Sequence, residues 1–161
     1  MKHLMEIMEA MMKNIFVTAL FALLTATIAG DLRAQSGPYQ YNSLSPCRVV
    51  DTRNAISTNG GPALPENTQR DFRIRGNCGV PTTAKAVSIN IAITQATTAS
   101  WLAVWPSGLA RPVASTINFD SSYPALSNGA IVGLSTNTND LSVYNRFGNV
   151  HVIIDVTGYF Q

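Results

Sequence analysis

The sequence predicts an all-β protein: a single-domain antiparallel β-sandwich of about eight strands, jelly-roll or immunoglobulin-like, behind an N-terminal signal helix. Three observations predict it. In Lys85–Thr94, Val87, Ile89, Ile91 and Ile93 alternate with Ser88, Asn90, Ala92 and Thr94, the period of a strand with one buried face. Short apolar runs recur between turn-formers such as Asn59-Gly60-Gly61-Pro62, Pro106-Ser107-Gly108 and Phe147-Gly148-Asn149. After residue 34 no segment carries a helical period.

The chain begins with Lys2, His3 and Lys13, diluted by Glu6 and Glu9, and then runs uncharged from Ile15 to Ile28. That run is about fourteen residues, short of the ~20 a spanning helix needs. A weakly basic head, a short apolar stretch and small residues around Ala29 and Ala34 make residues 1–34 a secretory signal peptide. Met12-Lys13-Asn14 offers a cleaner start to it, and an uncleaved membrane anchor is the alternative reading.

Residues 35–45, with Gly37, Pro38, Tyr39 and Tyr41, read as an extended tail, and residues 46–161 as the β-domain. Strands are expected over Cys47–Thr52, Thr68–Ile74, Lys85–Thr94, Trp101–Trp105, Val113–Phe119, Ala130–Ser135, Leu141–Tyr144 and Val150–Tyr159. Asn54–Asn67, rich in glycine and proline, is a long loop, Gly76–Pro81 a second, and the stretch up to Asn128 a polar third.

From Gln35 on, one lysine and seven arginines oppose six acidic residues, a formal net of +2. The basic residues do not cluster, which argues against nucleic acid as a partner. Arginine's planar fork suits fixed, hydrogen-bonded ion pairs better than lysine. The only two cysteines, Cys47 and Cys78, lie 31 positions apart. In an exported chain such a pair reads as a disulfide. A metal pair or free thiols are the alternatives, but the single histidine after residue 34, His151, leaves a tetrahedral site incomplete. No cofactor is implied.

Read in order, Pro46-Cys47-Arg48-Val49-Val50-Asp51-Thr52-Arg53, Gly60-Gly61-Pro62, Cys78-Gly79-Val80-Pro81, Ala86–Asn90, Trp101–Pro106, Ser115–Asn118 and Ile154–Phe160 form a specific succession of blocks. It resembles a β-domain of secreted and cell-surface proteins of soil and environmental bacteria, often found in tandem or beside enzymes. The resemblance spans nearly all of Pro46–Phe160. It implies export, the disulfide and a β-fold, and supplies no catalytic or ligand residue.

Four constellations carry what chemistry there is. His151 and Asp155 are four strand positions apart, ~13 Å at 3.3 Å per residue, too far for a catalytic pair. Asp51 and Asp155 lie in apolar strands and as two carboxylates evoke a glycosidase; Arg48 and Arg53 beside Asp51 point instead to a structural ion pair among Arg48, Asp51, Arg53 and Asp155. Asn137, Asn139 and Asp140, or Asp120 and Ser121, offer oxygens but too few carboxylates for calcium, so no metal is expected. Trp101 and Trp105 share one face of their strand. If Leu102 and Val104 fill the core, the indoles, with Tyr144, form an outer surface for a glycan or a protein; core burial or cover by a loop is the competing arrangement.

The resulting expectation is a non-catalytic extracellular structural or adhesion domain at the cell surface. Its partners would be an extracellular glycan, another surface protein, or a second copy joined through residues 35–45, with no membrane contact after signal cleavage. A carbohydrate-binding module using Trp101, Trp105 and Tyr144 is the alternative, and a hydrolase a third reading.

Overall fold

Alternating side chains and closely spaced turns give eight antiparallel strands. The structure, a computed structural model, describes residues 38–161; the signal-peptide region and the first residues of the expected tail lie outside the described residues. The strands are β1 (Tyr41–Asp51), β2 (Thr68–Phe72), β3 (Ala86–Thr94), β4 (Ser100–Pro106), β5 (Ile117–Phe119), β6 (Ala125–Gly133), β7 (Leu141–Asn145) and β8 (His151–Phe160). They form two four-stranded sheets, ordered β1-β8-β3-β6 and β2-β7-β4-β5. Each early strand thus lies beside the late strand that complements it, 1 with 8, 2 with 7, 3 with 6 and 4 with 5. That is a long hairpin ribbon wrapped into two layers, the jelly-roll arrangement. The immunoglobulin-like order is not found.

The core lies between the sheets. On β3, Val87, Ile89, Ile91 and Ile93 are buried, and Val152, Ile154 and Val156 continue the surface on β8. Phe72, Leu102, Val104, Leu141 and Val143 face them from the other layer, in one cluster. Burying each such side chain stabilises by about 1.5–3 kcal/mol. The β3 row alone therefore outweighs any exposed ion pair, worth about 0–1 kcal/mol.

Three boundaries differ from the sequence reading by more than two residues. β1 begins at Tyr41, so the last five residues of the expected tail belong to a strand of the domain: Tyr41, Asn42 and Ser43 pair with Phe160, Tyr159 and Gly158. The Tyr41 ring lies over Gly158, where a Cβ would come within 2.5 Å of its Cε2, so a larger residue there would push the ring aside. β6 starts at Ala125, inside the stretch expected to be a polar loop, because an outermost strand needs only backbone partners on one side, and β3 supplies all nine. β5 is cut to three residues, since Val113 and its neighbours leave the sheet to cross the outer face.

The Cys47–Cys78 disulfide is present, with the Cα atoms 5.6 Å apart. It ties β1 to the loop between β2 and β3. Reduction, or the double substitution C47A/C78A, is expected to lower unfolding stability by about 3–4 kcal/mol. Urea unfolding followed by tryptophan fluorescence measures this, and an unchanged midpoint would refute it.

Candidate functional site

The sequence-predicted ionic residues meet on the β1–β8 pair. Arg48 stands opposite Asp155 in register and donates from Nε to Oδ1 at 2.8 Å and from an Nη to Oδ2 at 3.1 Å. Arg53, in the turn after β1, donates to both oxygens of Asp51 at 2.8 and 2.6 Å, and its backbone N–H adds a third bond. Arg48 also lies 3.7 Å from Asp51, which joins the two pairs. The Arg53 side-chain bond holds the buried Asp51 carboxyl below its usual range, against the upward push of burial. The Asp155 hydrogen bond raises the Arg48 guanidinium further. Each acid is paired with an arginine, and the Arg48–Asp155 pair bridges the two strands.

A second, more buried pair has no strong signal in the sequence. Asp140, in the turn before β7, is 2% exposed. Its Oδ2 accepts the backbone N–H groups of Ile74 and Arg75 at 2.7 and 2.8 Å, while Arg75 Nε lies 3.2 Å from Oδ1 and an Arg75 Nη donates to Ser135 O. Asp140 is therefore turned inward to close the end of β2. Among the described residues, no group of three or more His, Cys, Asp or Glu is placed to hold a metal ion. Arg70 does similar work on the long loop, donating to the carbonyls of Ser57, Gly61 and Pro62; burial lowers its pKa.

The tryptophans lie on the outer face of the second sheet, as Leu102 and Val104 fill the core, but they form no open platform. The segment after β4 folds back across them. Trp105 is 3% exposed and its Nε1–H donates to Leu109 O at 2.9 Å. Tyr144, opposite Ala103 in register, is 4% exposed. Trp101 is half-buried, its ring 5.4 Å from that of Tyr144. The Arg111 guanidinium sits 3.8 Å from the Tyr144 ring centre and 5.9 Å from that of Trp101, where a sugar would have to stack. Of the three residues expected to share an outer surface, Trp105 and Tyr144 are buried and Trp101 is half-buried beside Arg111, close to the competing arrangement of cover by a loop. Beside it, Asp71 accepts from Ser142, Gln69 and Ser107. Burial pushes its carboxyl up, but these three donors together bring it below the usual range.

His151 contacts Thr52 Oγ1 through Nδ1 at 3.1 Å, and that hydroxyl also accepts the Val152 N–H. The outer face of the first sheet carries a shallow depression of about 550 Å³, with Ser88, Asn90, Gly129, Ile131 and Thr157 around it. Alternation gave the polar side chains of β3 away as outward-facing; the depression itself arises from small residues meeting on three adjacent strands. Compared with models of known protein families the chain matches none, and a search of curated proteins finds no similar sequence.

Two outcomes follow. D140A leaves the Ile74 and Arg75 N–H groups without their acceptor and the half-buried Arg75 guanidinium without its counter-charge, and is expected to cost about 3–5 kcal/mol, measured by chemical unfolding. Because Asp51 binds its proton less readily when folded, its contribution is complete above about pH 4 and is lost as pH falls through the lowered folded value. D51N should flatten that acid limb, so that variant and parent differ at neutral pH and converge as the pH falls below the lowered folded value; parallel curves would refute it.

Proposed function

We propose that this protein is a non-catalytic extracellular structural or adhesion domain, a rigid jelly-roll that acts by presenting its surface. One observation carries this reading. All six carboxylates of residues 38–161 accept hydrogen bonds from the domain's own framework: Asp51 and Asp155 from arginines, Asp71 from Ser142, and Asp140 from the Ile74 amide. Glu66 accepts from the Gly148 amide and Asp120 from the Ser122 amide. Acids used this way hold loops and strands in place. A general acid or base needs a carboxyl open to substrate, with its proton affinity tuned towards the working pH.

Export is supported by the disulfide, which persists in oxidising compartments, and by the leader-like character of residues 1–34. Among the described residues no helix is long and apolar enough to cross a membrane. The order of motifs resembling secreted bacterial β-domains points the same way. The carbohydrate-binding alternative loses its main support with Trp105 and Tyr144 under cover.

Cell fractionation with thiol alkylation and mass spectrometry tests the proposal. The protein is expected outside the cytoplasm with Cys47 and Cys78 joined and no free thiol. Recovery from the cytoplasm with both thiols alkylated would overturn it, as would hydrolysis of any polysaccharide or ester that H151A abolishes.

A further inference from the structure

The four outermost strands of the two sheets are unequally protected. β1 carries two irregularities in its pairing, between Ser43 and Cys47 and between Arg48 and Val50, and the disulfide latches a loop to it. β2 is five residues long and contains Arg70 and Asp71. β5 is three residues long. β6 runs for nine residues, ALSNGAIVG, with no charge and no proline, and in unbroken register with β3 from Ala125–Thr94 to Gly133–Ala86. Among the described residues, no backbone group of β6 bonds to any segment other than β3. Its Ile131 is 68% exposed. Sheets blunt their edges with charge, proline, bulges, shortness or cover. β1, β2 and β5 each have such a device; β6 has none of the first four, and its outer side is bare of backbone partners.

We infer that β6 is an assembly edge, on which two copies of this chain pair antiparallel about Gly129 and join their first sheets into one continuous eight-stranded sheet. The inference rests on the proposed structural role and names its partner.

The sequence of β6 fits its own copy in this register. A twofold axis at Gly129 sets Ile131 opposite Ser127 of the second copy, Leu126 opposite Val132, Asn128 opposite Ala130 and Ala125 opposite Gly133. On the outer face the bulky Ile131 then falls between the small Ser127 and Gly129, and its exposed surface is covered. On the inner side Val132, in the core cluster, and the partly buried Leu126 packed against that cluster extend the apolar layer across the joint. Moving the axis to Asn128 would set Val132 against Pro124, which has no N–H to give. Moving it to Ala130 would set Val132 against Asn128. The centred register alone uses all nine residues, and with no charge on the strand no like charges meet across the axis. Such isologous pairing closes on itself as a dimer.

Light scattering and sedimentation of the purified protein over a concentration series test this directly. A monomer–dimer equilibrium is expected. I131K removes the apolar burial from both copies and should weaken the dimer at least about a hundredfold. S127K should weaken it as well, and at a concentration low enough for the parent to be monomeric both variants should keep its unfolding midpoint, since both side chains are outward. G129C gives a readout that does not depend on the lysine variants. The nearest atom to a Cβ at that position is Ile89 O at 4.0 Å, so the side chain is accommodated. Facing residues of paired strands lie at about the Cα separation a disulfide needs. Mild oxidation should therefore give a 129–129 cross-linked dimer with Cys47–Cys78 intact, and S122C, on an exposed loop, should not cross-link. A monomer at every concentration to the millimolar range overturns the inference. So does a dimer indifferent to both lysines, or cross-linking at position 129 no better than at 122. The structural reading would survive each of these results, because it falls only on compartment, thiol state or turnover.

Discussion

The apolar contact between the inner faces of the two sheets is the constraint from which the rest of the molecule follows. Val87, Ile89, Ile91 and Ile93 on β3 and Val152, Ile154 and Val156 on β8 are all but fully buried against the opposite layer. Once those two strands are adjacent and facing inward, β1 and β6 can pair only at their outer sides. A one-residue slip would turn every buried valine and isoleucine to solvent, so the apolar rows set the register as well as the stability.

The polar groups are arranged around that contact in a consistent way. Arg48–Asp155 and Arg53–Asp51 hold the outer side of the β1–β8 pair and the turn that follows it. Asp140 closes the β2 end through two backbone amides. Asn145, fully buried on β7, donates to the carbonyls of Leu64 and Gly148 and accepts from Ser100. Buried polar groups of this kind are costly unless satisfied, and here they tie long loops to short strands. The same logic explains the covered tryptophans. Trp105 has a partner for its N–H only because the loop after β4 brings Leu109 O to it, and that loop also delivers Arg111 to the Trp101–Tyr144 pair.

Much of this was legible in the residue order. The alternation of β3 gave both the strand and its buried face. The cysteine pair gave the bridge, and the arginines near Asp51 and Asp155 gave the ionic group, because charge in an apolar strand has few other uses. The tryptophan face was legible only by halves. Spacing placed both indoles on the side opposite Leu102 and Val104, but local sequence does not say which distant backbone crosses a sheet. The first half of β6 was hidden for a related reason. That half is polar, and an outermost strand has no apolar alternation to announce it; only the nine backbone pairs with β3 reveal it. Asp140 reads as turn chemistry until its amide partners, 65 and 66 residues away, are in place.

By itself, then, the amino-acid order determined the all-β class, the β3 face and the covalent link, since these depend on side-chain period and residue type within a few positions. The tertiary structure alone decided the 1-8-3-6 and 2-7-4-5 sheet orders, the covering of the indoles and the bare edge of β6. Those are outcomes of which strands win the competition for neighbours across a hundred residues of chain. That competition is settled by the total apolar area buried between two sheets, a quantity that no local stretch contains.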